Sequence, residues 1–197
     1  MARAGLSRDA VVDLALRIID EEGAAAVTLA AVAGRAGVAT PSLYKHVRNL
    51  AELNTLVSVR VMDELADRLR EAVLGRSGDE ALRACMAAYR DYVTGNPGRY
   101  AAVIQAARPE QDDMANEQDD MAKAGQRVID IMLATFRGYG LEGADAVHAA
   151  RCLRSAVHGF AVLESGGAFG LPLDLDASYA LLADMIISGL PSPAPRP

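Results

Sequence analysis

Three features of this sequence predict an all-α fold. Alanine, the best helix former, is abundant; β-branched and aromatic residues never alternate over a strand length; and apolar residues recur at helical spacing along nearly the whole chain. With 51% of its 197 residues apolar, the chain can bury a sizeable core. The punctuation by Gly, Pro and capping residues divides it into a compact unit of three short helices over residues 1–50, a helical bundle over 51–190 and a frayed tail, PSPAPRP, over 191–197. About nine helices follow from that division.

Residues 1–6 read as an arm carrying Arg3. Ser7 caps the first helix, in which Val11, Leu14, Ala15 and Ile18 share a stripe opposite Asp13, Arg17 and Asp20, and Gly23 ends it. Thr28 caps a second helix with Val32 and Ala36 inward. Gly37 stops it, because a glycine past the last helical residue adopts the left-handed conformation that a sharp turn needs. Thr40 as cap and Pro41 at the first position start a third helix. There Leu43 and Val47 point inward, which leaves Ser42, Tyr44, Lys45 and His46 outward. Two short helices joined by a turn of about three residues form a helix-turn-helix, and this outward face has the size and polarity that suit a DNA major groove.

Asn49 and Glu52 form a capping box, and the helix they open runs to about Leu74, from the N-terminal unit into the bundle. A helix over about 80–94 carries the stripe Leu82, Cys85, Met86, Tyr89 and Val93. Gly95–Gly98 breaks it, and Asn96 with Pro97 starts a short helix. Glu110–Ala115 recurs at Glu117–Ala122, a period of seven residues that reads as a solvated acidic helix. That helix continues to about Arg137. Two closing helices follow, over 144–165 and 176–190, the second capped by Asp174 or Asp176. In the first, Leu153, Ala156, Val157, Phe160 and Leu163 make one face while Ala149, Ala150, Ala161 and Val162 keep the flanks apolar. In the second, Leu181, Leu182, Met185, Ile186 and Ile187 again cover too wide an arc for one partner, so both are expected to pack against their own bundle and a second copy.

Composition removes several classes of function. No apolar run is long enough to span a bilayer and the N-terminus lacks the pattern of a signal peptide, so the cytoplasm is the expected compartment. Cys85 and Cys152 have no Cys-x-x-Cys spacing, and the three histidines do not cluster, so no metal is expected. Gly138-Tyr-Gly-Leu-Glu-Gly143 matches a dinucleotide fingerprint, but helical spacing from Val128 to Phe136 leads into it where that fingerprint demands a strand, and no cofactor is expected. No catalytic signature is found. The formal charge of −6 is unevenly spread. Residues 1–50 hold six basic and five acidic side chains, whereas the remaining residues hold fourteen and twenty-one, so a phosphate backbone is tolerated best by the N-terminal unit.

Thr28, Ala33, Ala36, Gly37, Val38, Leu43, Tyr44 and His46 resemble, in register, the DNA-binding domain of the TetR family of transcriptional regulators. Val47 stands where that family usually has phenylalanine, and Leu50 where a lysine commonly reaches a phosphate. Downstream, Arg154–Phe160, Leu163–Pro172, Asp176 and Ser178 resemble the family's C-terminal domain named for a Trp-His-Gly tripeptide, with Val157 in place of tryptophan before His158 and Gly159. The resemblance implies a homodimer, joined through the last two helices, that binds a palindromic double-stranded operator and is released by a small-molecule effector. On that reading Arg8, Thr28, Tyr44, Lys45 and Arg48 hold phosphates, Thr40, Pro41 and Ser42 meet base edges, with Lys45 a candidate for that role as well, and His46 completes the interface. Tyr89, Tyr92, Tyr100, Met132, Phe136 and His158 are candidates for an effector pocket, although such stripes equally describe plain core. The rival reading is a helical small-molecule-binding protein or enzyme that does not bind DNA.

Overall fold

A computed structural model describes residues 6–106 and 115–191. The arm with Arg3, the first copy of the acidic repeat up to residue 114 and the tail from residue 192 lie outside the described residues. Among those described there is no strand. The helices are α1 (Arg8–Glu22), α2 (Leu29–Ala36), α3 (Leu50–Val73), α4 (Gly78–Gly95), α5 (Pro97–Ala106), α6 (Ala115–Phe136), α7 (Gly143–Ser165) and α8 (Leu175–Ser188), with 3-10 turns at Ala24–Ala26, Thr40–Lys45 and Arg137–Tyr139. The chain falls into two compact units: Met1–Met62 with Gly98–Ala124, and Asp63–Pro97 with Gly125–Pro197.

In the first unit, Ser7 caps α1 by accepting from the Ala10 amide at 3.1 Å. The helix buries Val11, Val12, Ala15, Leu16, Ile18 and Ile19, a wider face than the stripe read from spacing, and Leu14 is only half-buried. The reason is that α1 is covered by both α2 and the 3-10 turn at Ala24–Ala26. In α2, Val32 is buried as expected, but Ala33 takes the second inward position and Ala36 is half-buried. Arginines from the surrounding helices neutralise the acids of α1. Arg60 of α3 reaches Asp13 at 2.8 Å and Asp9 at 3.1 Å, Arg35 of α2 reaches Glu22 at 2.5 Å and Glu21 at 2.6 Å, and Arg99 of α5 reaches Asp20 at 2.7 Å.

In the second unit α4 is the central rod, packed against α7, α8 and the turn at Arg137–Tyr139. The whole expected stripe of α4 is buried, extended by Ala81 and Tyr92. Asn96 does not cap α5 with its side chain; its amide nitrogen donates instead to the Tyr92 carbonyl at 3.0 Å, closing the end of α4. The contact face of α7 is Ala146, Ala150, Leu153, Val157 and Ala161, so two of the alanines read as flanks, Ala150 and Ala161, sit inside while Ala149 is half-buried and Leu163 is 47% exposed. Small residues there let α7 approach α4 closely. The fingerprint-like glycines join α6 to α7 with α6, a helix, leading in. Gly140 supplies a left-handed residue at φ 71°, and a Cβ on Gly138 would stand 2.8 Å from the Gly78 nitrogen.

Arg90 ties three helices of this unit together. Its guanidinium makes two 2.6 Å hydrogen bonds to Glu164 of α7 and a 2.7 Å ion pair to Asp176 of α8, and it stacks 4.8 Å from the Tyr179 ring centre and 5.5 Å from that of Phe160. Asp174 is the cap of α8, accepting from the Asp176 amide at 2.9 Å. That helix buries only Tyr179 and Ala183, and leaves Leu181 60% and Met185 65% exposed.

Candidate nucleic-acid interface

The turn is built by backbone hydrogen bonds that the local sequence dictates. Thr28 Oγ1 accepts from the Ala31 amide at 3.0 Å, starting α2. Gly37, at φ 66° and ψ 33°, ends it in the left-handed region, so that its own amide reaches the Gly34 carbonyl at 3.1 Å and the Val38 amide reaches that of Ala33 at 3.0 Å.

The second element, Thr40–Lys45, is a 3-10 helix rather than an α-helix, with Ala39 and not Thr40 at its N-cap. The Ser42 amide donates to the Ala39 carbonyl at 2.8 Å and the His46 amide to Leu43 at 2.8 Å, so the main chain itself satisfies the groups a threonine hydroxyl was expected to take. With three residues per turn the side chains stack in columns. Thr40, Leu43 and His46 form the inner one, fully buried at Leu43 and half-buried at the other two. Pro41 and Tyr44 form an exposed one, and half-buried Ser42 and exposed Lys45 the third. Tyr44 is 56% exposed, and Val38 at the turn is exposed too, a surface residue the sequence reading did not single out as a contact.

Thr28 is also exposed, and Lys45 makes no ion pair among the described residues. Arg8 and Arg48 behave differently. Both converge on Glu52, which is only 4% exposed: Arg8 through Nη2 to Oε1, and Arg48 through Nε to Oε2 at 3.2 Å and its backbone amide to Oε2 at 2.5 Å. The capping box is therefore shifted by one residue. Asn49 Oδ1 accepts from the Glu52 amide at 2.8 Å, while Glu52 reciprocates to the Arg48 amide rather than that of Asn49. Burial pushes the Glu52 carboxyl up, but the hydrogen bonds from Arg48 and the charges of Arg8 and Arg48 outweigh it and hold the group below the usual carboxylate range.

Five of the six candidate pocket residues, Tyr89, Tyr92, Tyr100, Met132 and Phe136, are buried. Tyr89, Met132 and Phe136 are packed in the second unit's core, and Tyr100 belongs to the first unit. Tyr92 donates its hydroxyl to Glu64 at 2.9 Å and lines a cleft of about 470 Å³, whose other walls are Arg68, Glu71, Ala72, Ala88, Asp91 and Asn96. His158 is half-buried, and burial together with the Arg154 charge lowers its pKa.

A left-handed glycine turn, carrying an exposed cationic element on a three-element core, defines a helix-turn-helix protein. Comparison with known proteins places it more closely. Residues 11–53 match the profile of bacterial regulatory proteins of the tetR family, and residues 82–186 that of the tetracyclin repressor-like C-terminal domain. An uncharacterized HTH-type transcriptional regulator of Mycobacterium tuberculosis is 34% identical over 184 residues, covering 93% of this chain and 80% of that protein. A second uncharacterized HTH-type transcriptional regulator, from Bacillus subtilis, is 33% identical over 190 residues, covering 95% and 94%. The crystal structure of the transcriptional regulator FadR from Bacillus subtilis in complex with stearoyl-CoA shares the fold with a TM-score of 0.69 at 18% identity, over 91% of this chain and 97% of that one. The chain belongs to the TetR family of transcriptional regulators. None of its described helices is long and apolar enough to cross a membrane.

Proposed function

We propose that this regulator is a repressor that binds a palindromic operator as a homodimer, in the cytoplasm, and lets go when a small molecule binds. The observation that carries the reading is the pair of outward columns on the 3-10 element, exposed Pro41 with Tyr44 and half-buried Ser42 with exposed Lys45, held outward by buried Leu43 and Val47. On this reading Thr40, Pro41, Ser42 and Lys45 meet base edges, Thr28, Tyr44, Arg8 and Arg48 hold phosphates, and His46 packs at the edge of the contact. The exposed apolar residues Leu181 and Met185 of α8 and Val162 and Leu163 of α7 support a second copy as the partner. Twofold symmetry then gives half-sites about 10 base pairs apart, or a multiple of that.

The stearoyl-CoA held by the FadR relative is precedent for an effector on this fold. Helix α3 contributes Leu50–Met62 to the first unit and Asp63–Val73 to the second as one unbroken rod, and we assign it the transmission of the effector signal.

Selection of bound sequences from a random duplex pool tests the reading. A palindromic consensus that is lost in Tyr44→Ala and Lys45→Ala supports it. A pool with no enrichment overturns it in favour of a helical ligand-binding protein that does not engage DNA.

A further inference from the structure

Among the described residues three polar side chains are buried, and two of them are hydroxyls bonded to their own helix: Ser58 to the Asn54 carbonyl at 2.9 Å and Thr135 to that of Met132 at 2.7 Å. The third, Glu52, is the one buried charge. Its carboxylate accepts from two residues: Arg8 at the first position of α1, and Arg48 at the exit of the 3-10 element, which donates both its Nε and its backbone amide. Capping alone does not require a charge, since a glutamine oxygen accepts the Arg48 amide equally well. What the negative charge adds is a hold on two guanidinium groups.

Those guanidiniums are not themselves buried. The Arg8 side chain is 54% and the Arg48 side chain 64% exposed, whereas the Glu52 side chain is 5% exposed. The carboxylate thus sits beneath two cationic heads that remain open to water. A guanidinium has five N–H donors in a rigid fork, so one edge can rest on a carboxylate while another meets a phosphate. Two long side chains that would otherwise sample many rotamers are fixed by a single anchor, which lowers the entropy that each loses on meeting DNA.

We infer that Glu52 is a positioning residue for DNA binding: its buried carboxylate aims Arg8 and Arg48 outward together as a paired phosphate clamp beside the 3-10 element. This rests on the DNA-binding reading above. The opposite geometry, in which Glu52 keeps the arginines from phosphate, would make the same contacts an inhibitor, and the two differ in the sign of one measurement.

That measurement is the salt dependence of binding to a random-sequence duplex, since phosphate contacts are independent of sequence. The logarithm of the binding constant falls with log salt by about 0.9 for each phosphate contact. Two arginines in each of two subunits contribute up to about 3.6 of that slope. Glu52→Gln is expected to flatten the slope by as much as the two arginines contribute together, up to about 3.6, and to weaken binding at low salt by about tenfold or more. Arg8→Ala and Arg48→Ala should each flatten the native slope by up to about 1.8 per dimer, and neither should flatten it further in the Glu52→Gln background. A Glu52→Gln slope equal to the native one, or steeper, overturns the inference, as does a native slope unmoved by both alanine variants.

Circular dichroism on each variant reports its folding. If Glu52→Gln does not fold, the two arginine variants decide by themselves: flattening by both supports the clamp, and no change in either removes it. Failure of the broader reading looks different, for the native chain would then show no salt-dependent association with any duplex.

Discussion

Arg90→Met should destabilise the second unit mainly through Glu164 and hardly at all through Asp176. The two ion pairs are nearly equal in length, 2.6 Å and 2.7 Å, so distance cannot separate them; burial does. Arg90 and Glu164 are 13% and 19% exposed, and their two parallel hydrogen bonds operate where water screens little. Hydrogen bonds to charged groups of this kind contribute about 1.5–3 kcal/mol. Asp176 is 84% exposed, and an ion pair with so open a partner contributes roughly 0–1 kcal/mol. Stacking over the Tyr179 and Phe160 rings adds about 0.5–1 kcal/mol each. These effects overlap, and the truncation should cost about 3 kcal/mol, or roughly 6–12 °C in Tm for a chain of this size. Urea unfolding at fixed protein concentration, run as two double-mutant cycles, separates the contributions. Arg90→Met with Glu164→Gln should show a coupling of about 1.5–3 kcal/mol, and Arg90→Met with Asp176→Asn about 0.5 kcal/mol or less. Equal couplings, or a larger one to Asp176, would refute the argument that burial sets the strength of this cluster.

Three other outcomes are expected. A thiol reagent should modify exposed Cys152 at once and Cys85 only on unfolding, because Cys85 is buried and desolvation pushes its thiol pKa up to about 12; two equally fast thiols would contradict the packing of α4. Gly138→Ala forces a Cβ to 2.8 Å from the Gly78 backbone and should cost about 1–3 kcal/mol, while Gly125→Ala, with nothing within 4 Å, should gain about 0.5–1 kcal/mol; the two unfolding midpoints must move in opposite directions. Glu52, whose pKa is depressed on folding, contributes stability above its ordinary value of 4.5 that disappears as pH falls through the folded value. The stability gap between the native chain and Glu52→Gln should therefore hold at neutral pH and shrink in acid, and a gap that widens in acid would reverse the assigned sign.

What was legible in the sequence is what local chemistry dictates. Ser7 and Thr28 cap their helices, Gly37 turns left-handed, and the apolar stripe of α4 faces inward, since each depends on residues within a turn or two. The wide apolar arc of α8 was legible for the same reason, and the structure leaves Leu181 and Met185 exposed. The 3-10 form of the second element was not. Leu43 and Val47 are four apart and fit an α-helix, and an element of six residues is too short for a period of 3.0 to be told from 3.6. Partners remote in sequence were equally hidden: Arg8 meets Glu52 across 44 residues and Arg83 meets Asp184 across 101. Aromatic spacing does not tell core from cavity lining: Tyr89, Met132 and Phe136 are buried, as either role requires.

The tighter winding of Thr40–Lys45 also stretches it. Six residues rising roughly 2.0 Å each extend ~12 Å, where an α-helix of the same length would reach ~9 Å. On the proposed docking, against a strand that advances about 3.4 Å per nucleotide, the longer form would overlook between three and four base-pair steps. On the same docking its vertical ranks, Pro41 with Tyr44 and Ser42 with Lys45, each span about 6 Å along the element, close to two base-pair steps. Retargeting the protein to a new operator would then exchange residues rank by rank, and a change to one member of a rank would alter the preference of its companion before that of the rank beside it.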